Sequence, residues 1–230
     1  MATPNSILVQ LAFIGAAAAG VYSFVRAARD GEDRRVCVPV CSLGADYAAD
    51  NRTAPDFELP DVTGKKVKLS DFKGKVVILN IWTKTCRPCL EEMPSLADLA
   101  KIVKPYPDIA FLTITTDESA SDVLDTLKSV LGDEVMGESG VRADANFTTL
   151  VDSENSVVRG MFGTRLYPET WFIDPDGVIR ARVDGPRDWR SLAPLVLDFA
   201  NSIKGPIRCD VHIDRKVPQG SQCEDIPMAG

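Results

Sequence analysis

The sequence predicts an α/β domain in which a mixed central sheet is flanked by helices. Three observations carry this. Two continuous apolar runs, Val76–Trp82 and Ile109–Thr115, fit strands buried on both faces. Each is followed by a segment whose apolar residues recur at helical spacing. Near the C-terminal end, Asp174-Pro-Asp-Gly177 is a strong turn signal between two short apolar runs and predicts a hairpin.

The elements follow in order. Ile7 to Val25 carries no charged residue and is long enough to span a bilayer, which takes ~20 apolar residues. Residues 1–25 read as an uncleaved anchor or as a signal peptide cut near the Ala16–Gly20 run. Residues 26–53 read as a polar linker that holds Cys37 and Cys41. The domain spans 54–203 and opens at Ala54-Pro-Asp-Phe-Glu-Leu59. A turn is expected at Asp61-Val-Thr-Gly64 and a short strand over Lys66–Leu69. A helix is expected from the Cys86 region to Val103, with Met93, Leu96, Leu99, Ala100 and Val103 on one face and Pro94 as a kink. Ser121–Leu131 reads as a helix, Gly132–Asn146 as polar and irregular, Phe147–Val151 as a strand and Val157–Phe162 as a short helix. Trp171–Ile173 and Val178–Val183 form the hairpin, and Trp189–Ile203 closes the domain with Asp188 as N-cap. Residues 204–230 form a tail with Cys209 and Cys223.

Composition narrows the function. The 230 residues carry a net charge of -7, 45% hydrophobic and 26% charged side chains, the profile of a chain that builds a packed core. The acidic balance argues against nucleic acid as a partner. A single histidine, His212, argues against a histidine base and against histidine-rich metal sites. Four of the six cysteines lie outside the central region, and an even peripheral set fits disulfides in an oxidising compartment. The charges near the N-terminus point the other way: no Lys or Arg precedes the apolar segment, while Arg26, Arg29, Arg34 and Arg35 follow it. The cysteine usage is given the greater weight, and the domain is expected to be exported.

The remaining pair, Cys86 and Cys89, lies in Trp82-Thr-Lys-Thr-Cys-Arg-Pro-Cys89, after a buried strand and at the start of a helix. The first thiol then meets unpaired N–H groups and the positive end of the helix dipole. Both lower its pKa, and the thiolate is the reactive species. Lys84 and Arg87 flank it and are expected to push the same way, and Pro88 restrains the loop. Cys89, one turn in, is placed to resolve a mixed disulfide at Cys86. A zinc site would need two more ligands that nothing nearby supplies.

Leu69-Ser-Asp-Phe-Lys-Gly-Lys-Val-Val-Ile-Leu-Asn-Ile-Trp82, Cys86-Arg-Pro-Cys-Leu-Glu-Glu-Met-Pro94 and Tyr167-Pro-Glu-Thr-Trp-Phe-Ile-Asp174 together resemble the TlpA/ResA/CcmG group of membrane-tethered thioredoxin-like proteins, over about residues 54–203. The resemblance implies a thioredoxin-like fold with that group's central insertion. It implies a thiol–disulfide oxidoreductase at a bacterial inner membrane, its soluble domain facing the periplasm or the outside. Such a protein reduces disulfides during cytochrome c or metal-centre maturation, needs no cofactor, and takes electrons from a membrane donor of CcdA/DsbD type. Cys86 matches the attacking and Cys89 the resolving cysteine. Pro168 matches the cis-proline that presents the Tyr167 backbone to a substrate strand. Glu92 matches a carboxylate that manages the Cys89 proton, Asn80 standing where thioredoxin has a buried aspartate. Trp82, Thr85, Arg87, Pro88 and Tyr167 are the expected substrate-binding residues. Thr85 replaces a tryptophan usual in the group, and the two cations favour the reduced form, so the couple is expected to be less reducing than its relatives.

Two alternatives stand beside this. Thr83-Lys-Thr-Cys86 matches the Thr-x-x-Cys piece of peroxiredoxins, although position 79 is leucine where that family has proline. Cys37, Cys41, Cys209 and Cys223 could instead form the thiolate site of a metal chaperone; as disulfides they allow 3 pairings.

Overall fold

In this computed structural model the described residues are 15–26, 47–48, 53–132 and 147–204. The four peripheral cysteines, the irregular stretch 133–146 and the tail beyond 204 fall outside them.

Two strands organise the core. β4 (Val76–Trp82) and β5 (Ile109–Thr115) match the two apolar runs, and every residue of both is buried. They pair in parallel, with β6 (Thr148–Val151) parallel on the far side of β5. β7 (Glu169–Ile173) and β8 (Ile179–Asp184) form the predicted hairpin, and β7 pairs antiparallel with β4. The six-stranded order is β1-β8-β7-β4-β5-β6, where β1 is Tyr47–Ala48. A separate small hairpin joins β2 (Glu58–Pro60) to β3 (Lys66–Lys68).

Alternation along β4 builds two cores. Val76, Ile78 and Trp82 point into a cluster with the helices α2 (Arg87–Val103), α3 (Ala120–Leu131) and α4 (Trp189–Ser202). Val77, Leu79 and Ile81 point the other way, toward Phe57, Leu59, Val67 and Phe162. A strand read by both faces has no solvated side, so its sequence is apolar throughout. The stretch between β5 and β7 carries α3, β6 and a π-helical turn, Ser156–Phe162. α2 runs through Pro94 as one helix, and Asp188 caps α4 by accepting the Ser191 N–H.

Three readings change. Part of the stretch read as linker joins the sheet: Tyr47–Ala48 pairs with β8, and Thr53 bridges Val178. β2 was not anticipated, because three residues are too few to show a period. The helix expected at Val157–Phe162 is π-helical; buried Asp152 accepts the N–H groups of Ser156, Val157 and Val158 and fixes its first turn. The first described helix, α1 (residues 15–26), is exposed along its whole length. Among the described residues no helix is long and apolar enough to cross a membrane; most of the Ile7–Val25 segment's first half lies outside them.

Candidate active site

The site forms where β4 runs out. Its last residue, Trp82, leads through Thr83-Lys84-Thr85 to Cys86, the N-cap of α2, with Pro88 in the first turn. The Cys86 Sγ accepts the Cys89 N–H at 3.2 Å. Cys86 and Cys89 form a disulfide with a Cα–Cα distance of 5.3 Å. The two sulfurs are unequal: Cys86 is partly exposed and Cys89 is fully buried. Only the first can meet another protein, and it sits where unpaired helix N–H groups favour a thiolate.

A residue that sequence reasoning missed holds this loop. Buried Asp117, just beyond β5, accepts the Thr83 hydroxyl (2.9 Å), the Lys84 main-chain N–H (2.8 Å) and the Thr115 hydroxyl (2.6 Å). A usable signal was present: sites in open α/β sheets gather at the carboxyl ends of the strands, and Asp117 follows one.

The expected cationic push on Cys86 is weakened. Lys84 Nζ pairs with Asp122 of α3 and Arg87 Nε with Glu91 at 2.8 Å. Each cation has a carboxylate beside it, so the pairs present little net positive charge to the thiol.

Trp82 is not a substrate-binding residue. It is fully buried beneath α2, in the cluster with Cys89 and Met93, because its parity on β4 follows Val76 and Ile78. Thr85, Arg87 and Pro88 are exposed on the rim, and Tyr167 is half-buried. The Tyr167–Pro168 peptide bond is cis. Ile81 pairs with Glu169, so Pro168 lies level with the end of β4 and the start of the cysteine loop. The Pro168 carbonyl accepts the Gly185 N–H at 2.9 Å.

Glu92 lies one turn beyond Cys89 on the same face of α2, and it is 4% exposed. Its Oε1 accepts from Asn80 Nδ2 (3.1 Å); its Oε2 accepts from the Arg187 main-chain N–H (3.0 Å) and the Trp189 indole (3.0 Å). Burial pushes its pKa up to about 7, against these donors, which pull it down. Ser95, one turn further, accepts the Trp189 main-chain N–H at 3.1 Å and ties α2 to α4. A groove lined by Glu91, Pro94, Ser95, Pro186 and Arg187 opens over Glu92. A carboxyl that titrates near neutrality beside a buried thiol can take or return its proton.

Another buried carboxyl, Glu169, follows Pro168. It shares parity with Trp171 and so faces the opposite core, where its Oε2 accepts the Thr164 hydroxyl at 2.6 Å. Burial raises its pKa as well.

Residues 51–182 match the AhpC/TSA family. Among characterised relatives, the thiol-disulfide oxidoreductase ResA of Bacillus subtilis is 30% identical over 161 residues, covering 70% of this chain and 79% of its own. The thioredoxin-like protein YneN of the same organism is 32% identical over 136 residues, covering 57% and 69%. Among solved structures, a Chlorobium tepidum protein assigned as the thiol:disulfide interchange protein DsbE superposes with a TM-score of 0.54 at 26% identity, covering 67% of this chain and 99% of that one.

Proposed function

The chain belongs to the AhpC/TSA family and is a thiol–disulfide oxidoreductase, and from that premise we propose that it works as a reductase of disulfides in exported proteins. The observation that carries the reading is the asymmetry of the pair: an accessible Cys86 at a helix N-terminus, and a buried Cys89 one turn from a carboxyl that titrates near neutral pH.

In the reduced protein the Cys86 thiolate attacks one sulfur of a substrate disulfide. That S–S bond breaks, its electron pair leaves on the other substrate sulfur, and a mixed disulfide forms at Cys86. Cys89 gives its proton to Glu92 and attacks the Cys86 sulfur. The bond between Cys86 and the substrate breaks, and the substrate sulfur that Cys86 had attacked leaves as a thiolate and takes up a proton. The substrate gains the two electrons of the dithiol, and the Cys86–Cys89 disulfide remains. The Tyr167 backbone beside Pro168 offers the docking edge, with Thr85, Arg87 and Pro88 on the rim.

The wider setting belongs to the same proposal. The protein is held at a bacterial inner membrane by its N-terminal apolar segment, with the domain in the periplasm or outside. A membrane thiol donor of CcdA/DsbD type reloads the pair, and the substrates are proteins of cytochrome c or metal-centre maturation. Alkaline-phosphatase and fluorescent-protein fusions after the linker test the orientation; a fusion active only in the cytoplasm would refute it. The direction of electron flow is tested by the reduction potential of the couple. A value near ~−270 mV fits a reductase, and one near ~−120 mV an oxidase.

Peroxide reduction is the second reading, favoured by Thr83-Lys-Thr-Cys86. It ranks below dithiol exchange, because the Thr83 hydroxyl is engaged by Asp117 and a resolving cysteine lies three residues from Cys86. Peroxide consumption by the reduced protein would reverse the ranking.

A further inference from the structure

The two oxygens of Glu92 are not equivalent. Oε2 is faced by the Arg187 main-chain N–H and the Trp189 indole N–H, each at 3.0 Å. Both groups donate and neither can accept. A proton on Oε2 would point at two hydrogens. Oε1 is hydrogen-bonded, among the described residues, by one group, the side-chain amide of Asn80 at 3.1 Å. An amide presents a donor at one end and an acceptor at the other, nearly equal in size, and half a turn about its terminal torsion exchanges them.

Asn80 is fully buried in β4. Its Nδ2 spans Glu92 Oε1 and, at 3.0 Å, the Thr170 Oγ1 of β7. Its Oδ1 has no donor among the described residues. That orphan is the informative feature, since buried polar atoms are ordinarily paired. Half a turn would put Oδ1 between Glu92 and Thr170. A neutral Glu92 would then donate to it from Oε1, and the Thr170 hydroxyl would donate as well. The near side keeps two hydrogen bonds in either orientation; on the far side the unpaired group changes from Oδ1 to the amide NH2, a cost that the proton on Glu92 must offset.

We propose that Asn80 is a positioning residue whose amide reverses with the charge of Glu92, turning its nitrogen to the carboxylate and its oxygen to the carboxylic acid while Thr170 changes from acceptor to donor. The amide thereby directs the proton to Oε1, and it couples the charge of Glu92 to β7, the strand that follows Pro168. This inference rests on the reading of Glu92 as the group that handles the Cys89 proton. Burial raises the pKa of that carboxyl to about 7, so both of its charge states fall within an ordinary pH titration.

The charged and titratable groups around Glu92 can be named. Glu91 and the cysteine pair share its helix, and Arg187 and Asp188 line the groove from the turn before α4. The two strands offer only the neutral side chains of Asn80 and Thr170. In the oxidised protein the cysteines do not titrate.

The test is nuclear magnetic resonance of the oxidised full chain, labelled with carbon-13 and nitrogen-15, across a pH titration. The Glu92 carboxyl carbon and the Asn80 side-chain amide should inflect at one shared midpoint. Cross-relaxation from the Asn80 amide protons to the Thr170 side chain should be strong on the alkaline side and lost on the acid side. In Glu92→Gln the Asn80 inflection should vanish. If Glu92 titrates while the Asn80–Thr170 contact persists throughout, the amide does not reverse and this inference fails alone. If the Glu92 carbon shows no inflection near neutrality, the proton-handling role fails with it. A persisting Asn80 inflection in Glu92→Gln would also overturn the inference, because it would place the titrating group elsewhere.

Discussion

Glu92, on α2, and Glu169, at the start of β7, are both buried carboxyls near the cysteine loop, and burial raises the pKa of both. They differ in what they face. Glu92 looks into the helical layer, toward α2 and the start of α4, with three N–H donors around it and the buried thiol one turn away. Glu169 looks into the other layer, where the Thr164 hydroxyl holds it and Arg182 and Asp184 supply opposing charge effects. Among the described residues a pKa raised by burial marks these two candidates, and the side of the sheet separates a group that can exchange a proton with a thiol from one that ties the exit of the π-helical turn to β7. A perturbed carboxyl is a pointer to a site; its role is written in its neighbours.

The largest effect expected of this contrast is at Glu92. Glu92→Gln should slow thiol–disulfide exchange by about 10²-fold, at the low end for general acid–base catalysis, and remove an inflection near neutral pH from the rate profile. Stopped-flow rates against pH would show both. Stability should respond too. The folded carboxyl holds its proton more tightly than the ordinary value of 4.5, so its favourable contribution is complete below that value and is lost as pH rises through about 7. The span is worth about 3 kcal/mol. Denaturant titrations of the oxidised protein should show stability falling over that window, and Glu92→Gln should flatten the fall.

Asp117→Ala comes next. It leaves the Thr83 hydroxyl and the Lys84 N–H without their acceptor, at a cost of about 2 kcal/mol, and the loosened loop should slow exchange several-fold without moving its pH midpoint. That outcome, read from thermal unfolding beside the rate profile, would separate holding the cysteine loop from handling its proton. A displaced midpoint would show that Asp117 shares the task of Glu92.

The smallest kinetic effect is expected at Glu169. Glu169→Gln should leave the exchange rate and its pH profile close to those of the parent. It should still lessen the decline of stability with rising pH, since the sign of its shift is the same as that of Glu92. A rate profile altered as strongly as that of Glu92→Gln would end the distinction between the two faces.

The strands, helices and chemistry that rest on local pattern can be read along the chain. Val76–Trp82 and Ile109–Thr115 are legible because a strand covered on both faces has no polar alternation to confuse with anything else. The hairpin is legible because Asp174 to Gly177 is turn chemistry, and Cys86 and Cys89 because their spacing at a helix start has its own logic. The tertiary structure decided everything that depends on partners far along the chain. Asp117 reaches Thr83 across 34 positions, and Asp122 pairs with Lys84 across 38, so the loop's anchor appears only once β5 and α3 are packed beside it. Trp82 reads as a rim aromatic until the parity of β4 puts it under α2. Tyr47–Ala48 carries no pattern of its own and becomes a strand because β8 offers an edge. Asn80, Glu92, Thr170 and Trp189 meet only when β4, β7, α2 and α4 close on one another. Periodicity records which face of an element is buried; it holds no record of which distant donor will stand opposite a given oxygen, and the proton chemistry of this site depends on that.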